Sequence, residues 1–167
     1  WPQCRHDTRR IVPWSSTTRR LPARTPLGFV SAAMGGLGFA VPATAGLRLA
    51  CRDRPVVAIV GDGASLYQIQ AMWSAARYGA GALWIVLANG RYAVMDRLAE
   101  RAEQPAPWPA FEEVDVAAIT RGFGCPAQRI SDHGELLAVL DEVVPTLAQR
   151  TEPLLLAVDI EPDPTFG

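Results

Sequence analysis

Two continuously apolar runs flank a segment of helical period, and this is the clearest pattern along the chain. Val56 to Val60 and Leu83 to Ala88 are apolar at successive positions, which is typical of strands that a parallel sheet covers on both faces. Between them, apolar side chains recur at helical spacing from Leu66 to Tyr78, and Gly79 provides a left-handed stop. Residues 56–88 are therefore predicted to form one β-α-β unit with a right-handed crossover.

Further elements are predicted on both sides of this unit. They are a helix that opens at the glycine cluster 35–38 and runs to about Ala50, a short helix over Val116–Arg121 capped by Asp115, a strand over Cys125–Ile130, a helix from Asp132 to about Gln149 with a kink at Pro145, and a strand over Leu154–Ile160. Residues 91–109 are less regular and end in Pro-rich sequence, which fits either an ordinary connection or a segment that covers a site. The fold class predicted is α/β, with three layers and a mostly parallel sheet that carries helices on both faces.

The ends of the chain lack this periodicity. Residues 1–26 contain four Pro, six Arg and one acid, Asp7, so they carry a charge of +5 in a chain whose net charge is −1. A basic arm with two Trp could bind nucleic acid, but we interpret residues 1–26 as a disordered or non-native arm and predict no nucleic-acid partner. The predicted domain is 27–160, and 161–167 is a tail.

The amino-acid composition excludes several classes of function. The 167 residues fit one domain, and the chain has no Lys, which excludes a P-loop and Schiff-base chemistry. No apolar run approaches the ~20 residues of a membrane span, so no membrane partner is predicted. Three Cys lie far apart without metal-ligand spacing, which is typical of a reduced, cytoplasmic protein. Because the sequence begins at Trp1 and not at Met, we expect a fragment of a longer polypeptide.

Each apolar run of the β-α-β unit is closed by a glycine turn. The first turn is Gly61-Asp62-Gly63 and the second turn is Asn89-Gly90. Because the carboxyl ends of parallel strands meet at the same edge of a sheet, Asp62 and Asn89 are expected to be neighbours.

The first turn combines features that favour an anion with a residue that repels one. Its glycines allow a phosphate to approach closely, and the amides of Ala64 and Ser65 are expected to point outward at a helix N-terminus. Asp62 places a negative charge at the same point, which is consistent only if a divalent cation lies between the two anions. Mg²⁺ fits best because it prefers oxygen ligands, and Asn89 and the carbonyl of Arg91 can supply two more.

The two turns at this spacing resemble the fingerprint of thiamin-diphosphate enzymes. Residues 28–160 are similar to the C-terminal, diphosphate-binding domain of the 2-oxoacid decarboxylase and acetolactate synthase group. Within that group, the segments Ala33–Ala40, Ala71–Tyr78 and Asn89–Tyr92 look most like benzoylformate decarboxylase. The resemblance implies the thiamin-diphosphate-binding fold, with thiamin diphosphate and Mg²⁺ as cofactors.

The resemblance also implies roles for individual residues. The implied metal ligands are Asp62, Asn89 and the backbone carbonyl of Arg91. The implied cofactor-binding residues are Gly35, whose carbonyl accepts from the cofactor's amine, Leu37, which holds the cofactor bent, and Gly61, Asp62, Gly63, Ala64, Ser65, Tyr67, Asn89 and Tyr92. By position after the second turn, Tyr92, Met95 and Leu98 are candidates for the substrate pocket or for ordinary packing.

Two features depart from the family pattern. Ala88 stands where the family usually has a first asparagine, while Asn89 keeps the metal-binding place. The glutamate that activates the cofactor lies in a separate pyrimidine-binding domain in this family, and Glu100, Glu103, Glu112 and Glu113 have no matching context. We therefore expect no catalytic residue in this chain, which should be inactive without a pyrimidine-binding domain from another chain or from a missing N-terminal part. The resemblance also implies a homo-oligomer, dimer or tetramer, when complete.

Four functions remain open. The first is non-oxidative decarboxylation of a 2-oxoacid, as in benzoylformate decarboxylase; the second is a carboligase domain of the acetolactate synthase type. A third is an inactive, truncated remnant. The fourth, an α/β nucleotide-binding module, fits poorly because Val41 and Leu66 stand where a third small residue is needed after each Gly-x-Gly.

Overall fold

Four parallel strands form the sheet that carries the two glycine turns. The computed structural model describes residues 27–32 and 36–161. The predicted arm over 1–26, Gly35 and the tail after Glu161 lie outside the described residues. In chain order the elements are α1 (Ala40–Ala50), β1 (Val57–Gly61), α2 (Asp62–Leu66), α3 (Ala71–Tyr78), β2 (Leu83–Ala88), α4 (Ala93–Arg101), α5 (Val116–Gly122), β3 (Ala127–Ile130), α6 (His133–Val143), a 3-10 turn (Val144–Thr146) and β4 (Leu154–Asp159).

The described strands lie in the order β1-β2-β4-β3, and every neighbouring pair is parallel. Successive residues of β2 point into two different cores, because side chains alternate along a strand. Trp84 packs with α1, α3 and α5 on one face, whereas Leu83 packs with α6 and Leu147 on the other. Helices therefore cover both faces, and the predicted three-layer α/β class is confirmed.

Strand β1 forms one edge of the described sheet. Its residues alternate in exposure: Ala58 is buried beneath the helices, but Val57 is 45% and Ile59 67% exposed. The sequence predicted cover on both faces of this strand, and that prediction is wrong for the described residues. The reason is that α6 packs on the β2, β4 and β3 part of its face.

The predicted helix from Leu66 to Tyr78 is divided into two. Helix α2 begins at Asp62, directly after β1, and ends at Leu66, and α3 begins only at Ala71. Between them the backbone hydrogen bonds join residues three apart, as in Gln68 N–H to the Ser65 carbonyl, which tightens the chain. Gly79 ends α3 in the left-handed conformation, with φ of 67°, as the sequence predicted.

Two further helix predictions need correction. Residues 91–109, which were predicted to be less regular, contain a regular helix, α4, whose apolar residues Val94, Met95 and Leu98 lie on one exposed face. Helix α6 ends at Val143, so Pro145 lies in the 3-10 turn and does not kink a helix that runs to Gln149.

The two predicted aspartate caps are present. Asp115 accepts a hydrogen bond from Ala118 N–H, and Asp132 accepts one from Glu135 N–H. The Glu135 side chain bonds to Gln128 on β3.

Among the residues that the structure describes, no helix is long and apolar enough to cross a bilayer.

A buried arginine joins the segments at the opposite edge of the sheet from the turns. Arg48, at the end of α1, is only 4% exposed. Its guanidinium donates to backbone carbonyls of three separate segments, namely those of Cys51, Arg52 and Arg54, that of Gly81, and those of Ala148 and Arg150. Since its charge is compensated by carbonyl dipoles, Arg48 holds together three loops that lack regular structure.

Replacing Arg48 by Leu is expected to lower the free energy of unfolding by about 3 kcal/mol, because buried carbonyls lose charged donors. Urea denaturation of the full chain measures this. Arg52→Leu is the matched control, since it removes an exposed guanidinium and keeps the backbone carbonyl that Arg48 contacts. Equal stabilities of the two variants would show that the Arg48 network contributes nothing.

Candidate functional site

The first and second turns meet at the carboxyl edge of β1 and β2. Gly61 pairs with Leu87 in the parallel register, so the residues after these strands emerge side by side. The Asp62 Oδ2 atom accepts hydrogen bonds from the N–H groups of Asn89, at 2.9 Å, and Gly90, at 2.8 Å. The structure thus brings together the two residues that the sequence expected to be neighbours.

The Asp62 carboxylate is held rigidly by backbone donors. Its Oδ1 atom accepts from Gly63 N–H at 2.8 Å, and the residue is only 5% exposed. Ser65 is fully buried, and its hydroxyl donates to the Asp62 carbonyl at 2.7 Å, so this side chain supports the turn from below. Each carboxylate oxygen can accept about two hydrogen bonds or ligands. Oδ1 therefore keeps a position for a cation.

The second turn presents further oxygen atoms. Asn89 Oδ1 accepts from Arg91 N–H at 3.1 Å, and Gly90 adopts a φ of 67° that favours glycine. A carboxylate, an amide oxygen and a backbone carbonyl are hard donors, which fit Mg²⁺ better than a soft metal. Within the described part of the chain there is no group of three His, Cys, Asp or Glu side chains that would hold a metal in another way.

The remaining residues that the sequence predicted around a cofactor lie on an open surface. An added Cβ at Gly61 would meet nothing within 4 Å, so the space above this residue is free. Leu37 and Tyr67 are 54% and 55% exposed. The loop that carries Leu37 packs on Tyr67, because the Cβ position of Gly38 lies 3.2 Å from the Tyr67 Cβ.

An aromatic pair covers Gly63. The rings of Tyr92 and Phe111 meet edge to face with centroids 4.8 Å apart. An added Cβ at Gly63 would lie 2.6 Å from Tyr92 Cε1 and 3.0 Å from Phe111 Cζ. Sequence reasoning missed Phe111; its signal was an aromatic residue two positions after the last proline of a Pro-rich run.

Phe111 belongs to a segment that lies over both turns. We call residues 108–112 the strap. Phe111 N–H donates to the Gly90 carbonyl at 2.8 Å, and Glu112 packs so closely on Gly90 that an added Cβ there would lie 2.8 Å from the Glu112 Cγ. Phe111 and Glu112 follow the irregular region 91–109, whose two open roles stay predictions. Met95 and Leu98 are exposed on α4, the helix that precedes the strap.

A cavity of about 310 Å³ opens beside the second turn. Asp62, Asn89 and Gly90 line one side of it, and Arg129 and Asp159 line another. The Arg129 Nε atom donates to both Asp159 carboxylate oxygens, at 3.0 and 3.1 Å. Sequence reasoning missed this pair, although both residues lie near the carboxyl ends of predicted strands, where the same edge rule would have found them.

The buried cysteine is not a reactive group. Cys125 is 1% exposed, and burial, together with the negative charge of Glu152, raises the pKa of its thiol to about 12. The thiolate is the nucleophilic form, so Cys125 is inert at neutral pH.

Comparison with known proteins assigns the domain. A family model described as "Thiamine pyrophosphate enzyme, C-terminal TPP binding domain" matches residues 14–158. A benzoylformate decarboxylase of Pseudomonas aeruginosa is 40% identical over 123 residues, which are 73% of this chain and 23% of that protein. The acetolactate synthase large subunit of Parasynechococcus marenigrum is 32% identical over 131 residues, which are 73% of this chain and 21% of that protein.

A solved structure has the same fold. The thiamine diphosphate-dependent 4-hydroxybenzoylformate decarboxylase of Rhodococcus jostii RHA1 superposes with a TM-score of 0.72 and 29% identity, over 78% of this chain and 24% of that one. The chain therefore spans about a quarter of the length of these relatives.

Gly63→Ala is expected to lower the free energy of unfolding by about 2 kcal/mol, because the new methyl group overlaps the Tyr92 and Phe111 rings. Gly61→Ala is the matched control and should cost less than about 0.5 kcal/mol, since its surroundings are open and its extended backbone suits any residue. Chemical denaturation measures both. A Gly63→Ala chain as stable as Gly61→Ala would mean that the aromatic pair does not rest on the first turn.

The raised pKa of Cys125 predicts a pH dependence of stability. The unfolded thiol ionises near 9.0 and the folded one near 12, so its contribution is complete below pH 9 and is lost as the pH rises toward 12. Between pH 8 and pH 10 the free energy of unfolding should therefore fall by about 1 kcal/mol more in the wild type than in Cys125→Val. Identical slopes for the Cys125→Val chain and the wild type would contradict the assignment.

Proposed function

The chain belongs to the thiamine pyrophosphate enzyme family, as a C-terminal TPP binding domain, and from that premise we propose that it binds thiamin diphosphate through Mg²⁺ at the first and second turns. The observation that supports this most directly is the Asp62 carboxylate that accepts from both turns. Asp62 would be one metal ligand, and the side-chain oxygen of the neighbouring Asn89 would be a second. The carbonyl of Arg91 is proposed as the third.

The chain's own residues would bind and orient the cofactor. Thiamin diphosphate, when bound, supplies a thiazolium ring that stabilises a carbanion formed from the substrate. Gly61 leaves room for the diphosphate, and the backbone amides of Ala64 and Ser65 are proposed to face it. Leu37 and Tyr67 are exposed, and the loop that carries Leu37 packs on Tyr67, so both would contact the thiamin part of the cofactor. The carbonyl of Gly35 is the proposed acceptor for the cofactor's amine.

We propose decarboxylation of a 2-oxoacid, in the manner of benzoylformate decarboxylase, as the reaction of the complete enzyme. The 40% identity to a protein of that name supports it. A carboligase of the acetolactate synthase type is the second candidate, favoured by the 32% identity to a synthase large subunit. Tyr92, Met95 and Leu98 are the proposed substrate-pocket residues in either case.

The proposal includes a partner. No glutamate of the described residues has the context of the group that activates the cofactor, so a pyrimidine-binding domain would have to supply it, and this chain by itself would be inactive. The exposed Leu37 and Tyr67 support such a partner, because apolar side chains of this size gain from cover. A homo-oligomer of the complete enzyme and a cytoplasmic location, in keeping with the free thiols of Cys51 and Cys125, are part of the same proposal.

Binding of thiamin diphosphate tests this directly. Isothermal titration should use the full chain together with the N-terminal pyrimidine-binding part of a benzoylformate decarboxylase. We expect binding that needs Mg²⁺ and that Asp62→Ala weakens at least about 100-fold, because the anchoring carboxylate is lost. The matched control is Asp53→Ala, which removes an exposed carboxylate in the loop before β1.

Binding that persists without divalent metal, or that Asp62→Ala leaves intact, would contradict the proposal. Product analysis of the same complex separates the two reactions. A decarboxylase converts benzoylformate to benzaldehyde and CO₂, whereas a carboligase joins two pyruvate molecules with loss of one CO₂.

A further inference from the structure

Asp96 joins two segments that lie on either side of it in the sequence. It lies in the first turn of α4, and its side chain is 21% exposed. One carboxylate oxygen, Oδ2, accepts from Arg91 Nε at 3.0 Å, and the other, Oδ1, accepts from Trp108 Nε1 at 2.7 Å. Both oxygens are thus engaged, one by the residue that follows the second turn and one by the strap.

The contact with Arg91 restrains the second turn. Arg91 N–H donates to Asn89 Oδ1, so the backbone of this residue is already linked to the Asn89 side chain. With its guanidinium held by Asp96, Arg91 is fixed at both its backbone and its side chain. The peptide that would offer a carbonyl to Mg²⁺ is therefore oriented before any ligand binds.

The contact with Trp108 restrains the strap. Pro105, Pro107 and Pro109 have no N–H group, so the segment that surrounds Trp108 has few backbone donors with which to attach itself. The indole N–H of Trp108 supplies an attachment in their place. Three residues further on, Phe111 bonds to the Gly90 carbonyl and packs on Gly63.

The two contacts differ in strength. The Arg91 pair is about half exposed on the arginine side, and such surface pairs contribute little by themselves. The bond from the indole to a carboxylate that is mostly buried is short and charge-assisted, and it should be the stronger of the two.

We propose that Asp96 is a positioning residue, which holds the strap and Arg91 against the first and second turns and so sets the geometry at which the turns receive the metal and diphosphate. This inference rests on the proposed function for its ligand. The attachment itself is a property of the free chain. Asp96 acts through Arg91 and Trp108 and touches no reacting atom.

Hydrogen exchange on the free, full-length chain tests the attachment. Asp96→Ala should accelerate exchange of the Gly90 and Phe111 amides about 10-fold, because the strap opens more often, while the β2 and β4 amides keep their protection. Asp96→Asn keeps an oxygen that can accept from Trp108, so the Phe111 amide should stay close to the wild type. Glu100→Ala is the matched control: it removes an exposed α4 carboxylate, paired with Arg97, that does not touch the strap.

The concentration of Mg²⁺ needed for thiamin diphosphate binding provides the second readout, in the complex with a pyrimidine-binding domain. Asp96→Ala should raise this concentration about 10-fold, Asp96→Asn less, and Glu100→Ala not at all.

Unchanged exchange at Gly90 and Phe111 in Asp96→Ala would overturn the attachment. Faster exchange with an unchanged Mg²⁺ requirement would overturn the positioning role. A wild-type complex that binds no thiamin diphosphate would instead overturn the proposed function, and the exchange data would still decide whether Asp96 holds the strap.

Discussion

The site depends on one carboxylate that accepts hydrogen bonds from the ends of two strands. Asp62 receives three backbone N–H groups, from Gly63, Asn89 and Gly90, and so connects the turn after β1 to the turn after β2. A buried carboxylate needs such donors, because burial without them is unfavourable by several kcal/mol. The same contacts leave its outer lone pairs available. The same set of hydrogen bonds therefore stabilises the buried carboxylate and leaves it able to bind a cation.

The sequence predicted this arrangement because it follows from local rules. Strand β2 was predicted with its observed bounds, and the parallel pairing of β1 with β2 was enough to bring Asp62 beside Asn89. The strap contact could not be predicted in this way. Phe111 reaches Gly63 across 48 positions of chain, and nothing in the spacing of a Pro-rich segment specifies which surface it will cover.

Two other features of the structure, the burial of Arg48 and helix α4, were also not predicted from the sequence. In the sequence, Arg48 is an ordinary helix-terminal arginine. Its burial depends on carbonyl groups of the loop that follows α1 and of two distant loops, at Gly81 and at residues 148–150. Helix α4 carries Val94, Met95 and Leu98 on one face, but this face is exposed in the described structure. The helical spacing of these residues could have revealed the helix. The spacing does not say whether the apolar face is covered within the same chain.

The uncovered edge of β1 has a consequence for how this chain behaves in solution. Within the described residues, β1 has a strand partner on one side only, and Val57 and Ile59 extend from it into solvent. A short apolar strand with free N–H and C=O groups is a template for pairing with another polypeptide. Handled as an isolated polypeptide at high concentration, the chain is therefore prone to self-association through this edge.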